Sequence, residues 1–295
     1  MRDAFSTVHP GMLLAYFAVV IGVSMFVMHP VFLGISLLAS IAYALYVGRG
    51  AALRFIAVAA LPMIVLFSLV NPLLNHAGAT VLAVVFGLPF TLEALAYGCV
   101  AGMMFVSVIM WFYCANRVMT ADAVLYLLGR VAPSLALLVA MVVRLVPLLG
   151  RQARAIMRAQ RGIGCDPGEG PLLARARRGL AVVSILASWA LESSIDTADS
   201  MRSRGYGLSG RTSYMAYRFT GRDAVLAAAA ALATAVSLLG VAAGAGAASY
   251  FPALDIAHLG SRSLAACIAW AVMCLLPLIV DGWEELAWMR STSRA

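Results

Sequence analysis

Two segments with the same ending, RQARAIMRAQRGIG at residues 151–164 and SSIDTADSMRSRGYG at residues 193–207, organise this chain. Each has the spacing of an amphipathic helix, and each runs into an arginine followed by a glycine. A glycine just past the last periodic residue ends a helix by taking the left-handed conformation. We therefore expect the two arginines, Arg161 and Arg204, to project from helix ends.

The block around these segments, residues 144–222, holds 13 of the 21 arginines, and the chain contains no lysine. The missing lysine excludes a phosphate-loop lysine, a Schiff-base lysine and a Ser-Lys nucleophile pair. If ATP drives this protein, another chain must bind it.

Composition places the chain in the membrane. Its 295 residues are 63% hydrophobic and 12% charged, and the mean hydropathy is +0.94, values typical of a polytopic membrane protein. The net charge of +8 does not indicate nucleic acid, because the arginines are concentrated between membrane spans. It favours membrane topology together with an acidic partner or anionic lipid.

Apolar runs predict six spans, at residues 11–28, 31–47, 55–71, 91–115, 222–244 and 264–281. Pro62 predicts a kink in the third span. The stretch from Asn71 to Glu93 carries no charge before Glu93 and is broken by glycine and proline. This favours an external loop, a short β-like segment or an interfacial segment. Thr120 is a candidate N-cap for a short helix that ends near Gly129.

The positive-inside rule places the arginine-rich side and both termini in the cytoplasm. This orientation requires that residues 133–149 and 178–191 do not each cross singly. We interpret both as long tilted helices in the inner leaflet; a paired crossing keeps the same orientation, so the span count is six to eight. The predicted parts are N-terminal transmembrane helices at 1–116, a cytoplasmic or inner-leaflet coupling domain at 117–221, and C-terminal transmembrane helices with a tail at 222–295.

Neither a metal site nor a cofactor site is predicted. The five cysteines show no CxxC spacing, and no two of the four histidines lie at positions i and i+4. Asp196 and Asp199 share a helix face, but Asp199 can pair with Arg202 at i, i+3, and we favour that structural role over catalysis. The chain is therefore not predicted to be an enzyme.

At this point the chain resembles a known family, the transmembrane T component of energy-coupling factor transporters, which includes the cobalt-transport Q-type permeases. The resemblance is carried by AIMRAQRGIG (155–164) and DSMRSRGYG (199–207), and it extends to NPLLNHAG, TLEALAYG and PSLALLVAMVVRLVPLL. Members of that family have two cytoplasmic coupling helices, each ending in an Ala-Arg-Gly motif. The matching site residues here are Gln160, Arg161, Gly162, Ser203, Arg204 and Gly205.

The resemblance implies an all-α polytopic protein of about six transmembrane helices plus two long coupling helices, in the prokaryotic plasma membrane. It also implies two ATP-binding cassette ATPases, each receiving one coupling helix in a surface groove, and a small membrane S component that binds a vitamin or a transition-metal ion. The chain departs from the motif at both ends, by serine at 203 and by glutamine at 160. Alignment through Gly164 instead leaves Arg161 two residues early, so Arg204 is the safer match.

Rival functions fit the sequence less well. A secondary transporter is expected to carry intramembrane carboxylates or repeated halves, and here only Glu93 and Glu192 come near lipid depth, each close to a span end. A membrane-embedded enzyme needs clustered His, Asp or Glu, which the sequence lacks. The permease of an ordinary ABC importer has a single coupling loop with a Glu-Ala-Ala core, whereas this chain has two helices and no such core.

Overall fold

The computed structural model describes residues 4–76, 78–85, 88–166, 168–206, 208, 217–246, 248–251, 255–256 and 260–292. It confirms an all-α polytopic membrane fold. Its elements, in chain order, are α1 (Pro10–Phe26), α2 (Pro30–Phe55), α3 (Leu61–Leu74), β1 (Val81–Val85), β2 (Leu88–Thr91), α4 (Leu92–Val118), α5 (Ala121–Val131), α6 (Pro133–Gly162), α7 (Leu172–Ser203), α8 (Gly221–Gly240), β3 (Ala248–Ser249), β4 (Asp255–Ile256) and α9 (Ser261–Thr292). The two strand pairs are antiparallel hairpins.

These elements form two compact units. One comprises residues 1–124 together with 217–295, and the other comprises residues 125–216. In the first unit α4 packs against α1, α2 and α3, while α9 packs against α2 and α8. The apolar parts at the two ends of the chain therefore share one bundle. The second unit contains α6 and α7.

Two of the isolated histidines begin helices. The Nδ1 atom of His9 accepts a hydrogen bond from the backbone N–H of Gly11 at 3.1 Å, and Nδ1 of His29 accepts one from Val31 at 3.3 Å. Each histidine is followed by a proline in the first helical turn, where a missing N–H costs nothing. Both side chains thus serve as N-caps at the starts of α1 and α2.

The helical stretch from α2 to α3 is interrupted twice. Arg49 leaves helical geometry, with φ 43° and ψ −122°, so α2 breaks near the end of the predicted second span. A π-helical turn at Ile56–Ala60 then precedes Pro62, and in it Leu61 N–H bonds to the carbonyl of Ile56, five residues back. Proline cannot donate to the helical ladder and its ring clashes with the carbonyl one turn earlier, so a wider turn accommodates it. This π-helical turn lies directly before Pro62, where the sequence predicted a kink.

Glycines set the contact between α3 and α4. A Cβ atom added at Gly98 would lie 2.6 Å from the carbonyl oxygen of Phe67, and one at Gly102 would lie 3.1 Å from the Cα of Ile64. The four-residue spacing puts both glycines on one face of α4. Small residues at this spacing let membrane helices approach backbone to backbone.

A hydrogen-bonded serine cluster lies inside the bundle. The hydroxyl of Ser36 is 2.7 Å from the hydroxyl of Ser24 and 2.8 Å from that of Ser107, and it accepts the indole N–H of Trp111 at 2.9 Å. All four side chains are buried. Because each polar group has a partner, the cluster joins α1, α2 and α4 without leaving an unpaired donor in the apolar interior.

The uncharged segment after α3 forms the β1–β2 hairpin, which confirms a β-like segment there. Glu93 fixes its base. The carboxylate of Glu93 accepts a hydrogen bond from Thr80 N–H at 3.1 Å and another from the Thr80 hydroxyl. Thr91 caps α4 by accepting from Ala94 N–H at 3.4 Å.

Within the described ranges, six helical stretches are long and apolar enough to cross a membrane: Pro30–Leu74, Leu92–Val118, Pro133–Gly162, Leu172–Ser203, Gly221–Gly244 and Ser261–Leu286. The sequence also predicted six spans, but not the same six segments. The set includes α6 and α7, while α1 is a shorter apolar helix of 17 residues. The length of α6 and α7 admits the paired crossing as well as the tilted arrangement.

Candidate functional site

The first Arg-Gly segment, residues 151–164, forms the end of α6. Two backbone hydrogen bonds close it: Gly164 N–H donates to the carbonyl of Arg161 at 3.0 Å, and Cys165 N–H donates to that of Gln160 at 2.9 Å. Gly164 has φ +77°. This pair of bonds around a left-handed glycine is a Schellman motif, which satisfies carbonyls that the end of a helix would otherwise leave unpaired.

The second Arg-Gly segment, at the end of α7, has the same geometry. Gly205 N–H donates to the carbonyl of Arg202 at 3.0 Å, and Tyr206 N–H donates to that of Met201 at 3.0 Å. Gly205 has φ +76°. The two ends therefore superpose residue by residue through their left-handed glycines.

This superposition corrects one expectation from the sequence. We expected Gly162 to take the left-handed conformation that ends the first helix. Instead Gly162 still belongs to α6, as its last residue, and Gly164 takes the left-handed conformation. Helix propagation adds a backbone bond per residue, and a later glycine that can close a Schellman motif lets α6 run on. Gly205 ends the second helix as expected.

Because Gly164, and not Gly162, matches Gly205, the residues that correspond at the two helix ends change as well. Arg161 matches Arg202, three residues before each left-handed glycine. The residue directly before that glycine is Ile163 at the first end and Arg204 at the second. The hydrogen bonds of the two helix ends thus correspond through Gly164 and Gly205. Ile163 was missed by the sequence reasoning, and the second glycine, at 164, was the signal that could have found it.

The linker after α6 holds the first arginine. Arg161 Nε lies 3.1 Å from a carboxylate oxygen of Asp166. The other oxygen of Asp166 accepts Gly168 N–H at 2.8 Å. Arg178, from α7, donates to the carbonyls of Asp166 and Glu169 at 2.9 and 3.0 Å. The Gly168 N–H and then the Arg161 guanidinium hold the pKa of Asp166 below its ordinary value, so it is ionised at neutral pH.

The second end pairs differently. Arg202 lies 3.6 Å from Asp199, which confirms the i, i+3 pair expected from the sequence. Both side chains are largely exposed, so this pair contributes little stability. Within the ranges that the structure describes, Arg204 makes no ion pair with a carboxylate. Arg204 itself is exposed at the end of α7.

Arg204 also lies beside the first half of α6. A cavity of about 550 Å³ is lined by residues from both helices: Leu137, Ala140, Met141, Arg144, Ser193, Asp196, Thr197, Ser200, Met201 and Arg204. Arg161 lies 17 to 24 residues farther along α6 than Arg144 and Leu137. At the rise of an α-helix this is roughly 25–36 Å, so the ends of α6 and α7 are well separated.

The other arginines of α6 form an exposed stripe. Arg154 and Arg158 donate to backbone carbonyls one turn earlier on their own helix. With Arg151, Met157 and Arg161 they line a shallow groove on one face of α6. Bonds of this kind anchor the side chains without neutralising their charge, and the stripe fits water or headgroups.

No three His, Cys, Asp or Glu residues come together as a metal site would require, within the part of the chain that the structure describes. Asp196 and Asp199 are both exposed. The described surface of α6 and α7 is thus built from exposed arginines, apolar side chains and two capped helix ends.

Comparison with known proteins identifies the family. The family model for cobalt transport proteins, CbiQ, matches residues 7–214. The chain is 36% identical over 92 residues to the energy-coupling factor transporter transmembrane protein EcfT of Lactobacillus helveticus, a match that covers 31% of this chain and 33% of that protein. It is 32% identical over 106 residues to EcfT of Lactococcus lactis, covering 36% of this chain and 40% of that protein.

The matched segments span only about a third to two-fifths of these two relatives. The family match is broader: it runs from the beginning of the first unit through α7, so it includes both Schellman ends. It confirms the resemblance first drawn from the repeated Arg-Gly endings. This multi-pass membrane protein belongs to the CbiQ family of cobalt transport proteins.

Proposed function

We propose that this chain is the transmembrane scaffold of an energy-coupling factor importer. In this role it transmits ATP hydrolysis by two partner ATPases to a separate S component that binds the imported vitamin or transition-metal ion. The matched relatives carry the name of such a transmembrane protein. The observation that carries the proposal is the pair of matching Schellman ends on two long helices.

The spacing of these ends supports two docking sites rather than one. They lie roughly 25–36 Å apart along α6, which is too far for one groove and suits two neighbouring ATPase subunits. The coupling residues in this proposal are Gln160, Arg161 and Gly162 at the first end and Ser203, Arg204 and Gly205 at the second.

The chemistry of the second end supports docking against an acidic or carbonyl-lined groove. Arg204 is exposed, projects from a capped helix terminus and has no carboxylate partner among the described residues. A guanidinium can donate paired hydrogen bonds to a carboxylate or to carbonyls. When the ATPase dimer closes on ATP, its grooves move together and displace the two helix ends. The long helices then carry that displacement to the S component.

The charge distribution supports a cytoplasmic location for these ends. Arginines are concentrated in residues 116–221, the side that the positive-inside rule assigns to the cytoplasm. Both termini lie on the same side in this arrangement. ATPases that use cytoplasmic ATP can then reach α6 and α7.

The surface of α6 and α7 supports contact with apolar partners. Many large apolar side chains on these helices are exposed, among them Leu135, Leu138, Val142, Val146, Leu180, Val183, Leu191 and Ile195. Lipid or another membrane protein would cover such a surface. An S component embedded in the bilayer meets this requirement, and substrate selection then lies in that subunit.

The test is co-purification of the affinity-tagged full chain with the ATP-binding cassette ATPases of its own organism. The Arg161→Ala/Arg204→Ala double variant is compared with wild type. Losing a desolvated charged hydrogen bond at an interface costs about 2–5 kcal/mol, which corresponds to a fall in affinity of roughly thirty-fold or more. We expect the double variant to lose the ATPases, with Arg204 as the larger contributor.

The matched control is Arg154→Ala/Arg158→Ala, which removes the same charge from the exposed stripe of α6. Exposed pairs contribute well under about 1 kcal/mol, so this variant should retain the ATPases. Normal assembly and transport by the Arg161→Ala/Arg204→Ala variant would contradict the proposed function.

A further inference from the structure

The two coupling ends have the same backbone conformation but differ in the residue directly before the left-handed glycine, which we call the tip. Each helix ends in a Schellman motif around a glycine with φ near +77°. The residue directly before that glycine has φ −98° and ψ 12° at Ile163, and φ −84° and ψ 7° at Arg204. Because the backbones agree, these two side chains leave their helix ends in corresponding directions.

The first tip is apolar and uncovered. Ile163 is 71% exposed, although a large aliphatic side chain is usually buried. The nearest guanidinium, that of Arg161, is held by Asp166 at 3.1 Å, and its backbone carbonyl is used in the Schellman motif. The first end therefore presents an aliphatic side chain where the second presents a cation.

We propose that Ile163 is the docking residue of the first coupling end and enters an apolar groove, whereas Arg204 enters a groove with carboxylate or carbonyl acceptors. The two grooves then differ in chemistry, so the chain docks on two non-identical ATPase surfaces. This inference rests on the proposed function and adds the specificity of each docking site.

One kind of groove would serve both tips poorly. Burying isoleucine against a carboxylate removes water from the carboxylate without supplying a donor, and burying arginine in an apolar groove leaves the guanidinium unpaired. Two copies of one groove would therefore favour the same tip at both ends. The chain presents two different tips on matched backbones.

Arg161 has a positioning role in this arrangement. It corresponds to Arg202, and each of these arginines pairs with an aspartate of its own helix end. The Asp166 pair orders the linker that follows Ile163, together with the bonds from Arg178. Ile163 and Arg204 are the corresponding pair in which an aliphatic side chain at one end matches a cation at the other.

Exchanging tip chemistry tests the inference. The full chain is placed in lipid nanodiscs, and binding of the purified ATPase complex from its own organism is measured for Ile163→Arg, Ile163→Leu and Arg204→Ile. An unpaired guanidinium in an apolar groove should weaken binding by at least about ten-fold in Ile163→Arg. We expect a comparable loss for Arg204→Ile, while Ile163→Leu should stay within about two-fold of wild type.

If both grooves instead select arginine, Ile163→Arg will bind as tightly as wild type or more tightly, which would overturn the inference. Proper folding of each variant is checked by the unfolding midpoint of the chain alone. Ile163 and Arg204 are both exposed, so neither substitution should move it.

A crosslinking experiment tests this inference separately from the proposed function. Cys165 and Tyr206 occupy corresponding positions one residue past the left-handed glycines, and a photoreactive amino acid is placed at each in turn. We expect both to crosslink to ATPases, at different groove sequences. Crosslinks to one and the same groove sequence would overturn the inference and leave the function standing, whereas no ATPase crosslink at either position would overturn both.

Discussion

The two units of this chain differ in how far they cover their own side chains. In the unit formed by residues 1–124 and 217–295, large aromatic residues such as Tyr43, Trp111 and Trp270 are almost completely buried. In the unit formed by residues 125–216, Ala136 and Val182 are the buried residues within the part that the structure describes. The first unit stabilises itself, and the second presents most of its surface to something else.

This contrast separates two uses of apolar residues. In the first unit, close helix contacts at Gly98 and Gly102 and the hydrogen bonds of Ser36 make a dense interior. In the second, long apolar helices end in Schellman motifs that present Ile163 and Arg204. Substitutions in the first unit should therefore change stability, and those in the second should change assembly.

The largest expected effect is that of Trp111→Ala. Trp111 is fully buried and donates to Ser36, so its removal should lower the free energy of unfolding by about 3–5 kcal/mol. Unfolding of the full chain in mixed micelles measures this. The control is Leu180→Ala on α7, where the side chain is 69% exposed; it should change stability by less than about 0.5 kcal/mol. Equal losses in the two variants would remove the contrast between the units.

Matched glycine substitutions sharpen the contrast. Gly98→Ala places a Cβ atom 2.6 Å from the carbonyl of Phe67 and should cost about 1–3 kcal/mol through overpacking. Gly179 in α7 has no atom within 4 Å of the same position, so Gly179→Ala should stabilise its helix by about 0.5–1 kcal/mol. The same micelle assay reports both, and a stabilising Gly98→Ala would show that α3 and α4 do not pack this closely.

The serine cluster should give a smaller effect. Ser36→Ala removes the shared partner of Ser24, Ser107 and Trp111. Because hydrogen bonds between membrane helices contribute modestly, we expect a loss of about 1 kcal/mol. Ser188→Ala is the control in the second unit, since Ser188 donates to the carbonyl of Ser184 in its own helix, and its unfolding midpoint should match that of wild type. A Ser36→Ala variant as stable as Ser188→Ala would show that the cluster is dispensable.

Substitutions of the two glycines at the end of α6, Gly162 and Gly164, should have the smallest effects. Gly164→Ala forces a left-handed alanine and should cost about 1 kcal/mol, seen as faster amide exchange at residues 164 and 165. Gly162→Ala lies in helical backbone with open space around it and should slow exchange at the end of α6. Slower exchange in Gly164→Ala and faster exchange in Gly162→Ala would show instead that Gly162 ends the helix.

Local signals made parts of the fold predictable from sequence. The Thr120 cap of α5 and the pairing of Asp199 with Arg202 depend on neighbouring residues, and both are present. The β-like segment after α3 was also predictable, because its glycines and prolines break any helix.

Two kinds of feature could not be predicted from the sequence. One is the choice between two glycines that could each end a helix, and the other is a contact between residues far apart in the chain. Gly162 and Gly164 both suit a helix end, and the choice between them depends on which one closes the longer helix. Likewise α9 runs well past the predicted 264–281, to Thr292. Its buried Asp281 accepts the backbone N–H of Phe5 at 2.7 Å, a contact 276 residues away in sequence.

Docking of a helix end on an ATPase can be measured directly, because native Cys165 lies at the end of α6. Cys165 is exposed one residue past Gly164, while Cys114, Cys267 and Cys274 are buried. Its rate of labelling by a maleimide is measured in inverted membrane vesicles with the ATPases bound and after they are removed, with Cys165→Ser as the background.

Docking in a groove excludes water and reagent, so bound ATPases should slow labelling of Cys165 by about ten-fold or more. Labelling at the same rate with and without ATPases would contradict the claim that this helix end couples to them.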